Sequence, residues 1–252
     1  MSDTVAGRVK GHPSGILLDA GTGWGTLARS MAAAGFRVYA CDILPERFNS
    51  RGGGVQFQQA DLNAPLPYRD KSFDYVCCTE VIEHIENPFA LLREFWRVLK
   101  DGGFLFLSTP NILSLSSRLR FLFEGAYDFF KYPVVEWEET GTADLHLYPI
   151  RYHELEYYLN HCGLEIQEVF TNVVDYQRRL VFFPLELLMR AQMAVKNFRS
   201  SRAGEISTVR LYRILGSREL LYGEHLIVAA QKVQGRPAVF HPARTRPVLT
   251  GR

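Results

Sequence analysis

Cysteine is scarce in this chain: Cys41, Cys77, Cys78 and Cys162 are the four among 252 residues, and none stands at metal-type spacing. They read as buried hydrophobes in a reducing compartment rather than as ligands or disulfide partners. No apolar run approaches the roughly 20 residues of a membrane-spanning helix, and no leader pattern of charged, apolar and small residues opens the chain. The expectation is a cytoplasmic protein. Internal repeats are also missing, which excludes solenoid and propeller architectures. What is present is ordinary for one α/β core with elaborations: 252 residues, 47% of them hydrophobic, and a formal net charge of +2.

The most informative stretch is Ile16-Leu17-Leu18-Asp19-Ala20-Gly21-Thr22-Gly23-Trp24-Gly25, a buried strand running into a turn with glycine at every second position. The helix-forming run 26–34 follows it. Glycine lets such a turn reach positive φ and removes the Cβ that would hold a nucleotide-like ligand away from backbone. The dinucleotide fingerprint needs a further glycine three positions after Gly23, where Thr26 stands. Asp19 at the strand end would repel a pyrophosphate and suits a cationic amine or sulfonium. A tight turn with no ligand is the competing reading of these residues alone.

Two more strands end in acids. Phe36-Arg37-Val38-Tyr39-Ala40-Cys41-Asp42 places a carboxylate about 20 residues beyond the glycines, where it can accept both hydroxyls of a ribose. Val55-Gln56-Phe57-Gln58-Gln59-Ala60-Asp61-Leu62 alternates before a third acid. Then comes Ser72-Phe73-Asp74-Tyr75-Val76-Cys77-Cys78-Thr79-Glu80-Val81-Ile82-Glu83-His84-Ile85, an amphipathic helix over 89–99, and Leu99-Lys100-Asp101-Gly102-Gly103 before a strand closing on Thr109-Pro110-Asn111.

Over residues 15–111 these blocks resemble the class I, Rossmann-like S-adenosylmethionine-dependent methyltransferases, in particular the group with ubiquinone-biosynthesis O-methyltransferases. Asp101 stands where that family usually has proline. The resemblance implies a doubly wound, mostly parallel seven-stranded sheet with helices on both faces and an antiparallel last strand. It also implies S-adenosylmethionine as cofactor and S-adenosylhomocysteine as product. Asp19, Gly21, Gly23, Gly25, Asp42, Ile43, Asp61, Leu62, Thr79 and Glu80 would hold the cofactor, with Asp42 on the ribose, Asp61 at the adenine amine and Leu62 against the ring. His84 is the candidate base, since an imidazole exchanges protons near neutrality. Glu80, Glu83 and His84 at i, i+3 and i+4 would share a helical face and, with His146, could hold a divalent ion, as the same relatives and small-RNA 2′-O-methyltransferases do. Many relatives carry the Glu-His-Ile loop with no metal.

Beyond Asn111 the substrate side is expected, with insertions over about 112–149 and 177–222 of a domain spanning 15–233. Tyr127, Phe129, Phe130, Tyr132 and Trp137 could clamp an apolar or ring-bearing acceptor, or form the small core of a helical cap. A helix ending at Gly163, a strand over 164–170 and a last strand over 224–233 complete the domain. Residues 1–14 read as an extension and 234–252 as a basic, disordered tail, with His12 and His241 in mobile ends.

Charge is unevenly distributed. Residues 177–222 carry Arg178, Arg179, Arg190, Lys196, Arg199, Arg202, Arg210, Arg213 and Arg218 against Glu186, Glu205 and Glu219, and the tail adds Arg236, Arg244, Arg246 and Arg252. An anionic partner is implied: a bilayer surface, a nucleic acid or a phosphorylated substrate. Pro184 can start a helix in which Leu187, Leu188, Ala191, Ala194, Val195 and Phe198 form a stripe. With flanking arginines, the segment 179–199 has the pattern of a helix at a membrane interface, and equally of one closing a pocket or a dimer contact. The expected activity is methylation of an oxygen on a small-molecule, lipid-linked or glycan-type acceptor. A C- or N-methyltransferase, a non-catalytic S-adenosylmethionine-binding protein and an RNA methyltransferase are the alternatives. No aromatic stacking platform supports the nucleic-acid reading.

Overall fold

Short apolar runs bounded by glycine form the centre of the sheet. β1 (Ile16–Ala20) is buried beyond its first residue and pairs in parallel with β2 (Arg37–Asp42) and β4 (Phe73–Thr79). β3 (Val55–Gln59) extends the sheet beside β2, and β5 (Leu99–Pro110) extends it beside β4, both in parallel. β7 (His225–Lys232) then runs antiparallel between β5 and β6 (Leu164–Phe170). The order β3-β2-β1-β4-β5-β7-β6 is the expected doubly wound sheet, with the chain switching direction between β1 and β4. In an open parallel sheet that switch opens a crevice at the strand C-termini. This computed structural model describes residues 1–49, 53–130, 146, 148–174, 177–204 and 206–234.

Strand alternation divides the core between the two faces. Leu18, Val76, Cys78, Leu105 and Leu107 face α3 (Pro88–Val98) and α5 (Tyr152–His161). Leu17, Val38, Cys77 and Phe106 face α1 (Ser2–Val9) and α2 (Thr26–Ala33). All four cysteines are buried and unpaired, as their spacing implied.

Local chemistry explains the element ends. Asn87 caps α3, accepting from the Ala90 N–H at 3.0 Å, and Pro88 occupies the first turn. Ser114 caps α4 (Leu115–Glu124), which stops at Gly125. Asp101 supports the Gly102 turn through Lys71 at 2.7 Å and Lys232 at 3.6 Å. Lys232 is itself buried and donates to the Trp96 and Leu99 carbonyls at 2.7 and 2.8 Å, so this turn is tied to α3 and to β7.

Two expectations need correction. The N-terminal extension packs into the core: α1 buries Val5, Ala6 and Val9, and the His12 ring lies 4.7 Å from that of Phe104, so apolar and ring contacts hold an end expected to be mobile. Pro184 does not start its helix, because α6 (Gln177–Arg202) runs through it. The carbonyl that Pro184 leaves unbonded is that of exposed Leu180, where solvent can satisfy it. The stripe of Leu187, Leu188, Ala191, Ala194, Val195 and Phe198 is solvent-exposed, and Phe182, Leu185, Glu186, Met189 and Met193 form the inner face. α7 (Ile206–Leu215) and α8 (Arg218–Tyr222) lead from α6 into β7. Tyr132, Trp137, Glu205, His241 and the tail arginines lie outside the described residues.

Candidate active site

The glycine turn sits at the C-terminal end of β1. Gly21, Gly23 and Gly25 have φ of +74°, +50° and +75°. At Gly21 a Cβ would stand 2.4 Å from Val81 Cγ2, so the missing side chain lets the β4 loop close over the turn. A Cβ at Gly23 would meet nothing within 4 Å, which leaves open space where a ligand can approach backbone.

Acids at the strand tips brace this turn. Asp42 accepts the Gly23 N–H at 2.8 Å and the Leu44 N–H at 3.0 Å, one on each carboxylate oxygen. Each oxygen retains a lone pair for a ribose hydroxyl. Asp19 is 1% exposed and accepts the Thr22 hydroxyl at 2.6 Å. Burial pushes its carboxyl up to about 6, the Thr22 bond opposing this and the Asp42 charge adding to it. Asp61 is exposed and accepts the Asn63 N–H at 2.9 Å, Leu62 is buried beside it, and Ile43 is half exposed next to Asp42. Carboxylates, bare glycine backbone and apolar side chains thus surround one crevice, a donor set that fits a cationic nucleoside such as S-adenosylmethionine.

The loop after β4 supplies a second group. Glu80 holds φ +56° and the following residues Ile82–His84 form one 3-10 turn, so Glu80, Glu83 and His84 do not share an α-helical face. The Glu80 carboxylate turns away: Ser108 Oγ donates to Oε1 at 2.7 Å, and His225 Nε2 lies 2.9 Å from Oε2. Asn172 meets the other ring nitrogen of His225 at 3.1 Å. Glu83 is fully buried, and among the described residues neither of its carboxylate oxygens has a hydrogen-bond partner. Its carboxyl is pushed up to about 8 by burial and then by the Glu80 charge.

Ligand-type atoms of Glu83, His84 and His146 lie within 4.8 Å of one another. The His84 and His146 rings meet at 4.7 Å, and Nδ1 of His146 is buried with no hydrogen-bond partner among the described residues. Burial and the neighbouring His84 push the His146 ring below its ordinary value, keeping it neutral with a lone pair available. Unsatisfied carboxylate oxygens and an unsatisfied imidazole nitrogen facing one point are a donor set that fits a divalent ion. Glu80 stands apart from this trio.

Aromatic rings wall the same space. Phe130 lies 5.3 Å from His146, and Phe129, at φ +67°, lies 5.3 Å from His225. Sequence reasoning left His225 without a role and did not single out Ser108 or Asn172. Their only linear signal is position at the tips of β5, β6 and β7, which means little until strand order is known.

Comparison with known proteins agrees with this geometry. Residues 18–107 match the methyltransferase domain family. The ubiquinone biosynthesis O-methyltransferase of Xanthomonas campestris pv. campestris (strain B100) is 41% identical over 119 residues, covering 43% of this chain and 48% of that protein. The aligned region thus spans about half the length of that curated relative. Among solved structures, an S-adenosylmethionine-dependent methyltransferase from Mesorhizobium loti superposes with TM-score 0.55 at 15% identity, covering 91% of this chain and 96% of that one. One from Archaeoglobus fulgidus gives 0.55 at 17%, covering 92% and 95%. The strand order, the glycine turn and the match of residues 18–107 to a methyltransferase domain together resemble the class I S-adenosylmethionine-dependent methyltransferases.

Proposed function

We propose that the protein transfers the methyl group of S-adenosylmethionine to a hydroxyl oxygen of an apolar, ring-bearing acceptor. The observation that carries this reading is the meeting of buried Glu83 and half-buried His84, on the loop that closes over the glycine turn through Val81, with half-buried His146, beside Phe130. The printed name of the Xanthomonas relative, an O-methyltransferase, supports oxygen as the acceptor atom.

In this reading Asp42 holds the ribose, Asp61 the adenine amine and Leu62 the ring, while Asp19 braces the turn and favours the cationic donor. The acceptor oxygen forms the new O–CH3 bond as the S–CH3 bond breaks, its electron pair passing to sulfur to leave neutral S-adenosylhomocysteine. His84 takes the hydroxyl proton. Phe129 and Phe130 keep water from the reacting atoms and align the acceptor, which supplies much of the acceleration in such a displacement. Alternatively, Glu83, His84 and His146 would hold a divalent ion, which would supply Lewis-acid polarisation of the acceptor hydroxyl in place of His84 as base.

The test is incubation with methyl-labelled S-adenosylmethionine and a panel of acceptors of matched size carrying a ring hydroxyl, an amine or an activated carbon. Label on the ring oxygen, lost in His84→Ala, is expected. Label on nitrogen or carbon would overturn the oxygen assignment, and binding of the cofactor with no product from any acceptor would favour an accessory role.

A further inference from the structure

The outer face of α6 is inverted relative to an ordinary surface helix. Phe182, Leu185, Glu186, Met189 and Met193 are drawn inward, and the opposite arc carries Leu180, Val181, Phe183, Leu187, Leu188, Val195 and Phe198, each more than half exposed. At 100° per residue these seven fall within one arc centred opposite the buried stripe. They extend over 180–198, about 27 Å of helix at 1.5 Å per residue. No acid occurs between Glu186 and Glu205, while Arg190 borders the arc on one side and Lys196 and Arg199 on the other. Nearby, α4 also exposes Phe121, Leu122 and Phe123.

We infer that α6 lies in the interface of an anionic bilayer, with its outer arc among the acyl chains and its flanking cations at the headgroups. Charge decides between possible occupants. A second copy packed through this face would offer no acid of α6 to pair Lys196, Arg199 and Arg202, because Glu186 is buried against Tyr222 and Arg190, whereas anionic headgroups complement these cations. No helix among the described residues is long and apolar enough to cross a membrane, so the contact is peripheral.

The helix is fastened to the catalytic sheet. Tyr222 donates to buried Glu186 at 2.5 Å, and Arg190 lies 2.7 Å from the same carboxylate. Tyr222 ends α8, three residues before His225, so a membrane seated on α6 has a set position relative to the acceptor side. The inference is independent of the methyl-transfer reading, since vesicle binding requires no turnover.

The experiment is co-sedimentation of the full chain with vesicles of equal phosphatidylglycerol and phosphatidylcholine, and with phosphatidylcholine alone. Binding to the anionic vesicles is expected to be at least about tenfold tighter and to weaken with added salt. Leu187→Asp/Leu188→Asp should lower it at least about tenfold with an unchanged melting temperature, since both side chains face solvent. Lys196→Glu/Arg199→Glu should remove the preference for anionic lipid. Equal binding of the wild type and the Leu187→Asp/Leu188→Asp variant would overturn the inference. So would a dimer, seen by light scattering, that this variant dissociates in a protein that ignores vesicles.

Discussion

His225 Nε2 lies 2.9 Å from Glu80 Oε2, joining the first residue of β7 to the residue that follows β4 across the intervening β5. Ser108 on β5 completes the link at 2.7 Å, and Asn172 holds the far side of the imidazole. The left-handed backbone at Glu80 is thereby held by bonds from two neighbouring strands. Glu80→Gln should lower stability by about 1.5 kcal/mol, the scale of a charge-assisted hydrogen bond, as read by denaturant titration. His225→Ala should give a similar loss, and the double variant less than the sum, because both remove the same bond.

Asp42→Ala should weaken S-adenosylmethionine binding by about 1.5 to 3 kcal/mol in calorimetry, since in the proposed site two ribose hydroxyls would lose a charged acceptor. It should also lower the melting temperature, because the Gly23 and Leu44 N–H groups lose theirs. Unchanged affinity would remove Asp42 from the cofactor site.

Asp19 predicts a pH dependence. Its carboxyl is raised by burial to about 6 from an ordinary 3.8, so the folded protein holds a proton that the unfolded chain gives up. Its contribution to stability is therefore fully present below about pH 4, declines as pH rises to about 6, and is flat above that. A cationic cofactor favours the ionised form, so affinity should rise through the same window. Asp19→Asn should abolish both slopes, and a persisting slope in calorimetry would assign it to another group.

Glu83 gives a sharper test of the trio. With its carboxyl raised to about 8 by burial, it is mainly protonated at pH 7, and a divalent ion must displace that proton. Calorimetry with manganese in buffers of different ionisation enthalpy should show about one proton released per ion at pH 7. Glu83→Gln and His146→Ala should each abolish binding. Glu83→Gln should leave the metal-free protein as stable or more stable above pH 8, because no buried charge then forms. Turnover that survives chelation would separate the trio from the reaction.

Asn111 is a purely structural test. Its side-chain amide donates to the carbonyls of Leu220 at 3.0 Å and Gly223 at 2.8 Å, closing the end of α8 from inside the core. Asn111→Ala leaves buried carbonyls unpaired and should cost about 3 kcal/mol in denaturant titration.

Residues 15–111 were legible because each of their signals is local. A strand needs only a few consecutive side chains, and a glycine turn followed by a helix is written in adjacent residues, so β1 to β5 and the acids at their tips emerge from linear pattern. Asp19, Asp42, Gly21 and Gly23 stand where that pattern placed them. Glu80 shows where such reading fails. Its i, i+3, i+4 relation to Glu83 and His84 assumed a helix, whereas Ser108 and His225, 28 and 145 positions away in the chain, draw its carboxylate elsewhere.

The sequence alone determined a sheet with carboxylates at its strand tips, the glycines that bring a ligand to backbone, and an amphipathic basic helix near the end, because periodicity and turn chemistry act over a few residues. Only the tertiary structure decided that His225 belongs with Glu80, that Glu83 and His146 meet as unsatisfied polar groups, and that the apolar stripe of α6 points outward. The direction of a stripe is set by which face finds partners, and Tyr222, by bonding Glu186, turned the other face inward.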